Sequence, residues 1–373
     1  MSNKPVKIFA LNPGSTSTKV GLFYDEKPVF VTTIEHRPEE LGALSEQLIM
    51  RRDAILKTVE ENGETLENVD VFVGRGGSMF ACVGGIYEVN DKMLEDARFG
   101  PFGEHPARLS SQLVDQLRAV YGGRGCVVDP PDTDELMEEA RVTGIRDIYR
   151  ESRAHALNQK AVSRRYAASV GKKYEDMRLI VAHLGGGMSI TAHRLGRMID
   201  TNDILHGGGP IAPTRCGDIA PGKLIELCFS GRYTERELMN LTNKNGGLVQ
   251  LLGTADLREV EARAADGDSY ADFVLRGMIY SIARNIGSCA VALCGQVDQI
   301  LLTGGVSRDP KLVEKLLKYC GWIAPITVIA GEFEMEALAA GGLRWISGQE
   351  ESKEYTGEPV WNPGMIGGQT RQR

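Results

Sequence analysis

This chain lacks any C-x-x-C pair. Its seven cysteines, Cys82, Cys126, Cys216, Cys228, Cys289, Cys294 and Cys320, are odd in number. Together these argue against a zinc ribbon, a redox dithiol and a disulfide framework, and leave reduced, mostly buried thiols as the expectation. Basic runs are also missing, and the formal net charge is −7. Neither nucleic acid nor an anionic membrane surface is therefore an expected partner. Anions must be met by a few placed cations. The chain has no long uncharged apolar run. Its longest apolar stretch, Val274 to Leu293, is interrupted by Arg276, Arg284 and Asn285 and reads as a buried, partly amphipathic helix rather than a membrane span. The first apolar run, Val6 to Leu11, breaks at Asn12 and Pro13, too short for a signal peptide, so a cytoplasmic location is expected.

What is present begins with size. The 373 residues, 42% hydrophobic and 25% charged, are enough for two domains with their own cores. Residues Val6 to Phe23 read as strand, turn, strand, and the turn Asn12-Pro13-Gly14-Ser15-Thr16-Ser17-Thr18-Lys19 holds one glycine and four consecutive hydroxyl residues. Backbone N–H groups at such a turn can face an anion, and glycine allows its close approach. No helix follows, so this is not the strand–loop–helix phosphate site. A phosphate loop inside a hairpin points to the actin-like and sugar-kinase type of ATPase. One such turn alone is more often just a tight hairpin.

The pattern recurs. Leu179 to His193 is again strand, glycine turn (Gly185-Gly186-Gly187), strand, and Gln299 to Ser307 is a strand ending in Gly304-Gly305. The two hairpins lie about half a chain apart. That spacing predicts an α/β protein of two duplicated actin-like, ribonuclease H-like domains with a cleft between them. We expect an N-terminal domain over 1–150, a C-terminal domain over 151–334, a closing helix near 335–348 that returns to the first domain, and a loosely ordered polar tail over 349–373. Helices are expected over 41–62, 106–121, 134–142, 152–170 and 268–293, and strands over 69–73, 126–129 and 326–329.

Four polar residues end or follow strands beside glycine or proline turns: Asn12, Arg75, Asp129 and His183. A fifth, Arg215, lies in the irregular segment Gly208 to Asp218. Taken singly, each has a plainer role as a packing, capping or solvated residue. Together they suit phosphoryl transfer, where catalysis is mainly positioning and charge stabilisation. Two arginines and a histidine can meet the phosphoryl oxygens, while Asp and Asn can orient magnesium and its waters. An acceptor carboxylic acid of pKa ~4–5 is already ionised at neutral pH and needs no general base. Guanidinium groups then relieve the meeting of two anions.

Longer segments carry a family resemblance. The turn Asn12 to Lys19, Gly74-Arg75-Gly76-Gly77, Gly84-Gly85-Ile86-Tyr87-Glu88-Val89-Asn90, Val128-Asp129-Pro130, His155 to Ala161, Ala182 to Gly187 and Thr303-Gly304-Gly305 closely resemble the butyrate kinases, within the wider acetate and butyrate kinase group. The resemblance covers nearly the whole chain. It implies reversible, ATP- and magnesium-dependent phosphorylation of a short fatty acid, with ADP and an acyl phosphate as products. It also implies a homo-oligomer, dimer or larger.

By the same resemblance, Arg75 and Arg215 hold the carboxylate and the transferring phosphoryl group, and His183 stabilises the transition state. Asp129 and Asn12 serve magnesium and phosphate. The turns carrying Gly14, Ser15, Thr16, Ser17 and Lys19, then Gly185, Gly186 and Gly187, then Gly304 and Gly305, cradle phosphates and nucleotide. A late glutamate serves the metal in acetate kinases, and here both Glu332 and Glu334 qualify.

One segment departs from the butyrate kinase pattern. Pro213-Thr214-Arg215-Cys216-Gly217-Asp218 is closer to acetate kinases. The acid pocket points the other way. Acetate kinases carry bulky apolar residues just after the first arginine and just before the histidine, where this chain has Gly76, Gly77 and Ala182. Smaller walls admit extra methylenes, each worth about 0.8 kcal/mol when buried. Butyrate or a similar four- or five-carbon acid is thus expected, ahead of acetate or propionate. A non-catalytic actin-like nucleotide-binding protein is the alternative of another class, but it has no need of Arg75, His183 and Arg215 together. A sugar kinase could use Asp129 as base and would leave the arginines unexplained.

Overall fold

The structure is a computed structural model that describes residues 4–37, 39, 41–103 and 105–365. It falls into two units, one comprising the residues up to Asp134 together with those from Phe333 onward, the other Glu135–Glu332.

The first unit holds a six-stranded sheet of β1 (Lys7–Pro13), β2 (Ser17–Tyr24), β3 (Lys27–Glu35), β4 (Val71–Gly74), β5 (Ile86–Glu88) and β6 (Arg124–Val128), in the order β3-β2-β1-β4-β6-β5. Strand β1 is antiparallel to β2 and parallel to β4, which is parallel to β6. The second unit repeats the plan with β7 (Arg178–Leu184), β8 (Met188–Arg194), β9 (Arg197–Thr201), β10 (Gln299–Thr303) and β11 (Ile326–Val328), in the order β11-β10-β7-β8-β9. Here β7 is antiparallel to β8 and parallel to β10. The duplication expected from the glycine turns is therefore real. In each unit the turn leaves the carboxyl end of the strand where the sheet changes from antiparallel to parallel, a place where α/β sheets gather ligands.

Local sequence explains the layering. Strands β1 and β7 are apolar and buried almost throughout, as central strands covered on both faces must be. Strand β3 alternates half-buried and exposed residues and carries Lys27, Pro28 and Glu35, which suits an edge. The expected long helix spans Ser269–Ala292, capped by Asp268, whose carboxylate accepts from the N–H groups of Tyr270 and Ala271. Its buried residues, including Leu275, Met278, Ile282 and Ile286, join the core beneath β7 and β8. No helix among the described residues is long and apolar enough to cross a membrane.

The helix Glu334–Ile346 packs on β1, β4 and β6 of the first unit. It comes close because of Gly341 and Gly342, where a Cβ atom would lie 2.6 Å from Val128 and 2.7 Å from Val73. Each glycine costs the helix about 1 kcal/mol of propensity, which the close packing offsets.

Several expectations shift. The units divide after Asp134 and Glu332 rather than at 150 and 334. The segment after Asp134 is bound into the second unit, where Met137 N donates to Ile199 O and Met198 N donates to Glu135. The helix expected over 134–142 is a single turn, Glu138–Arg141, and that over 152–170 contracts to Ala156–Ser169. The tail is ordered as far as it is described. Lys353 N donates to Ile86 O, and buried Tyr355 donates to Asp96 and accepts from Phe80 N. Residues 366–373 of that tail lie outside the described residues.

Candidate active site

In the first unit the β1–β2 register sets Asn12 opposite Lys19. Gly14 N donates to Ser17 O at 2.7 Å and closes the turn. Ser15 and Thr16 are exposed, and Ser17 and Lys19 are half-buried. The turn is held from behind by a residue that the sequence reading missed. Arg51, on the helix Leu44–Glu61, has no exposed surface. Its guanidinium donates to Ser17 O and Thr18 Oγ1, both at 2.8 Å, and to Ser15 O at 3.2 Å. Burial lowers its pKa from the ordinary arginine value. Arg51 falls on the same helix stripe as Leu44, Leu48, Ile55 and Val59; a charge on an apolar stripe was the available signal.

Asn12 and Arg75 meet one acid. Asn12 Nδ2 donates to Glu334 Oε2 at 2.8 Å, and Arg75 Nη2 lies 3.7 Å from Glu334 Oε1. The Nε of Arg75 is buried without a hydrogen-bond partner. Leaving such a donor unmet costs about 1–3 kcal/mol, and a bound anion would satisfy it. Asp129 follows β6, is buried, and holds φ at +40°, a conformation unfavourable for a side-chain-bearing residue. Its Oδ1 accepts from Gly85 N at 2.8 Å, and its own N–H donates to Gly85 O at 2.8 Å. The strain is thus maintained by a reciprocal pair.

In the second unit His183 lies near the carboxyl end of β7, buried, and its Nε2 lies 3.9 Å from half-exposed Glu332. The turn after it is tied to the arginine loop. Gly186 O accepts from Thr214 N at 3.1 Å and from Thr214 Oγ1 at 2.9 Å, and Arg215 Nη1 donates to that same Oγ1 at 2.6 Å. A Cβ on Gly187 would stand 3.6 Å from the Arg215 guanidinium. Arg215 also donates through Nε to Ile204 O, and burial lowers its pKa. Thr214, part of the departure from the butyrate kinase pattern, is thus the link between Arg215 and the glycine turn. Gly304 takes φ of +85° and exchanges hydrogen bonds with Gly331. A Cβ there would collide with Leu184 O at 2.3 Å, so only glycine fits. Beside these turns opens a cavity of about 590 Å³, lined by Gly185, Gly186, Gly305, Arg258, Asp309 and Glu332 among others. That volume suits a nucleotide-sized ligand.

The two late glutamates therefore separate. Glu334 joins Asn12 and Arg75, and Glu332 joins His183 and the cavity. Among the described residues no three His, Cys, Asp or Glu side chains gather as a metal cage. Magnesium does not need one, since it keeps several waters and takes one or two carboxylates besides phosphate. The oxygen donors of Asn12, Asp129 and Glu334 fit that demand.

Three residues expected to widen the acid pocket do not line open space. Ala182 packs in the second unit's core with Ile180 and Leu184, on the face of β7 opposite His183, because side chains alternate along a strand. A Cβ on Gly76 would meet Val127 and Pro130, and one on Gly77 would lie 2.6 Å from Ala107. Their φ values of +72° and +137° account for the glycines without reference to substrate size.

Comparisons with known proteins identify the family. The acetokinase family pattern matches residues 142–322. Butyrate kinase 2 of Clostridium acetobutylicum is 43% identical over 94% of this chain and 99% of its own length, and butyrate kinase 1 of the same organism is 41% identical over the same shares. Among solved structures, the acetate kinase of Porphyromonas gingivalis superposes with a TM-score of 0.75 at 21% identity, over 92% of this chain and 100% of that one. The two units thus share the actin-like ATPase fold with the acetate kinases. With matches of this identity over nearly its whole length, the chain belongs to the acetokinase family, in its butyrate kinase group.

Proposed function

We propose that this chain transfers the γ-phosphoryl group of ATP to butyrate, reversibly, forming butyryl phosphate and ADP. The acid oxygen forms the new bond to phosphorus as the bond to the ADP oxygen breaks. The acid arrives ionised, so no side chain has to remove a proton. The task left to the protein is to hold anions together and stabilise charge on the equatorial oxygens.

The observation that carries this reading is Arg75, whose buried Nε has no partner and whose Nη2 stands beside the Asn12–Glu334 pair. Arg75 offers its fork to the acid or the phosphoryl group. Arg215 and His183, beside the second glycine turn, supply further positive or donor groups. The hairpin of Gly14, Ser15, Thr16 and Ser17 meets phosphate, and the turns at Gly185 and Gly304 hold the nucleotide. Magnesium, held by Asn12, Asp129 and Glu334, would neutralise phosphate charge. Butyrate as the acid rests on the named relatives, since Gly76, Gly77 and Ala182 carry no statement about pocket width.

The test is a panel of acetate, propionate, butyrate and isobutyrate with ATP, scored as kcat/KM by hydroxamate trapping of the acyl phosphate. Butyrate is expected to lead. A clear preference for acetate would transfer the chain to acetate kinase activity. No acyl phosphate from any acid, in protein that binds ATP, would favour a nucleotide-binding role without chemistry.

A further inference from the structure

The hydrogen bonds around His183 determine which of its nitrogens carries the proton. His183 Nδ1 lies 2.9 Å from Asn158 Nδ2. The same Nδ2 lies 3.3 Å from Thr303 Oγ1, and that hydroxyl donates to Gly331 O at 3.0 Å. With its proton committed to a carbonyl, Thr303 accepts from Asn158. The Asn158 amide is thereby oriented with its NH2 toward both Thr303 and His183. An NH2 group only donates, so His183 Nδ1 accepts and the ring proton sits on Nε2. Titratable groups against this ring among the described residues include Glu332, 3.9 Å from Nε2, and His155, stacked upon it. A carboxylate on the Nε2 side favours the same tautomer.

His155 is fixed in the same sense. Its ring lies 3.8 Å from that of His183, tilted by 13°. Gln159 Nε2 donates to Ser189 O at 3.1 Å, which orients that amide, and to Ser189 Oγ at 2.7 Å. The same Oγ receives His155 N at 3.3 Å. With its lone pairs occupied, Ser189 sends its own proton to His155 Nδ1, 2.8 Å away. Gln159 Oε1 in turn accepts from His193 Nε2 at 2.9 Å, and His193 Nδ1 meets Tyr174 Oη at 2.7 Å. A face-to-face pair of imidazolium rings would repel, so the stack disfavours charge on both rings at once.

We infer that Asn158 is a positioning residue for His183, locking it as a neutral imidazole that donates through Nε2. The donor is then set before substrates bind, and no reorganisation is needed during transfer. This inference deepens the proposed function and rests on it for what Nε2 faces. The proton's location does not depend on that function.

The experiment uses full-length protein labelled with 15N-histidine, where only six histidines contribute, with His183→Gln assigning the signal. Long-range 1H–15N spectra near neutral pH are expected to give His183 an unprotonated Nδ1 and a protonated Nε2. A proton on Nδ1, or an imidazolium, in the wild type overturns the inference. In Asn158→Asp the side chain only accepts. The proton is expected to move to Nδ1, and kcat to fall roughly tenfold to a hundredfold with KM for ATP within about twofold of wild type. Unchanged kcat in folded Asn158→Asp protein also overturns it. Loss of folding in that variant leaves the wild-type spectrum to decide. A protein without kinase activity would refute the proposed function while His183 remained measurable.

Discussion

Arg51 donates to the backbone carbonyl of Ser17 at 2.8 Å from a position with no exposed surface. The bond lies on the protein side of the turn whose other side carries exposed Ser15 and Thr16. A fully buried guanidinium that meets Ser15, Ser17, Thr18 and Gln47 fixes the shape of a loop made of small, flexible residues.

Arg51→Met keeps the length and removes every donor. Hydrogen bonds from charged groups contribute about 1.5–3 kcal/mol each at the upper end of the usual range, so the variant should melt lower. Its loosened turn should weaken ADP binding by roughly tenfold, as expected when positioning is lost. Arg51→Lys should rescue little, because a single ammonium cannot serve a planar fork of acceptors. Calorimetric titration with ADP and thermal unfolding check both. Wild-type affinity in folded Arg51→Met would remove the hairpin support from the account.

The duplicated plan was legible because each glycine turn sits between two apolar strands, a local pattern that needs no long-range information. Arg51 was less legible. Its partners in the turn lie more than thirty residues away in sequence, and a helical arginine reads as solvated until its stripe is drawn. Ala182 is obscured for a simpler reason. Proximity in sequence to His183 is not proximity in space, because the two-residue period of a strand sends neighbours to opposite faces. The choice between Glu332 and Glu334 could not be made from sequence at all, because two residues of backbone carry the chain from one unit to the other.

That separation gives the two glutamates distinct phenotypes. Glu334→Gln removes the carboxylate shared by Asn12 and Arg75. It should raise the magnesium concentration for half-maximal activity by roughly tenfold to a hundredfold. Glu332→Gln should leave the magnesium requirement near wild type and act on turnover, since this carboxylate faces His183 Nε2. Magnesium titrations of acyl phosphate formation in both variants decide the assignment. A larger metal effect in Glu332→Gln would reverse it.

The segment after the closing helix should prove structural. Tyr355 Oη accepts from Phe80 N at 3.0 Å and donates to Asp96 at 2.9 Å, and Asn90 Nδ2 donates to Tyr355 O at 2.9 Å. Tyr355→Phe strands the Phe80 N–H at a cost of about 1–3 kcal/mol. Its melting temperature should drop by a few degrees. Deletion after Gly348 removes the buried ring as well and should lower it much further. Differential scanning calorimetry gives both values, and an unchanged melting temperature in the deletion would mean that the tail contributes nothing to the first unit.

His193 sets an acid limit on stability. It is fully buried between Tyr174 and Gln159. Burial first, then Lys160 and Arg164, hold its pKa well below 6.5 in the folded protein. The unfolded chain therefore binds a proton that the folded chain refuses. Stability from this site is complete above the unfolded pKa of about 6.5 and is lost as pH falls below it, at up to about 1.4 kcal/mol per pH unit. Most carboxylates titrate lower, with ordinary values of about 4, so the interval between about pH 6.5 and pH 5 belongs to the histidines, and the His193 share is what its replacement removes. Urea unfolding across that interval should give a falling midpoint in the wild type. His193→Gln, with no proton to gain, should begin less stable and show a flatter slope. Equal slopes in the two proteins would assign the acid sensitivity elsewhere.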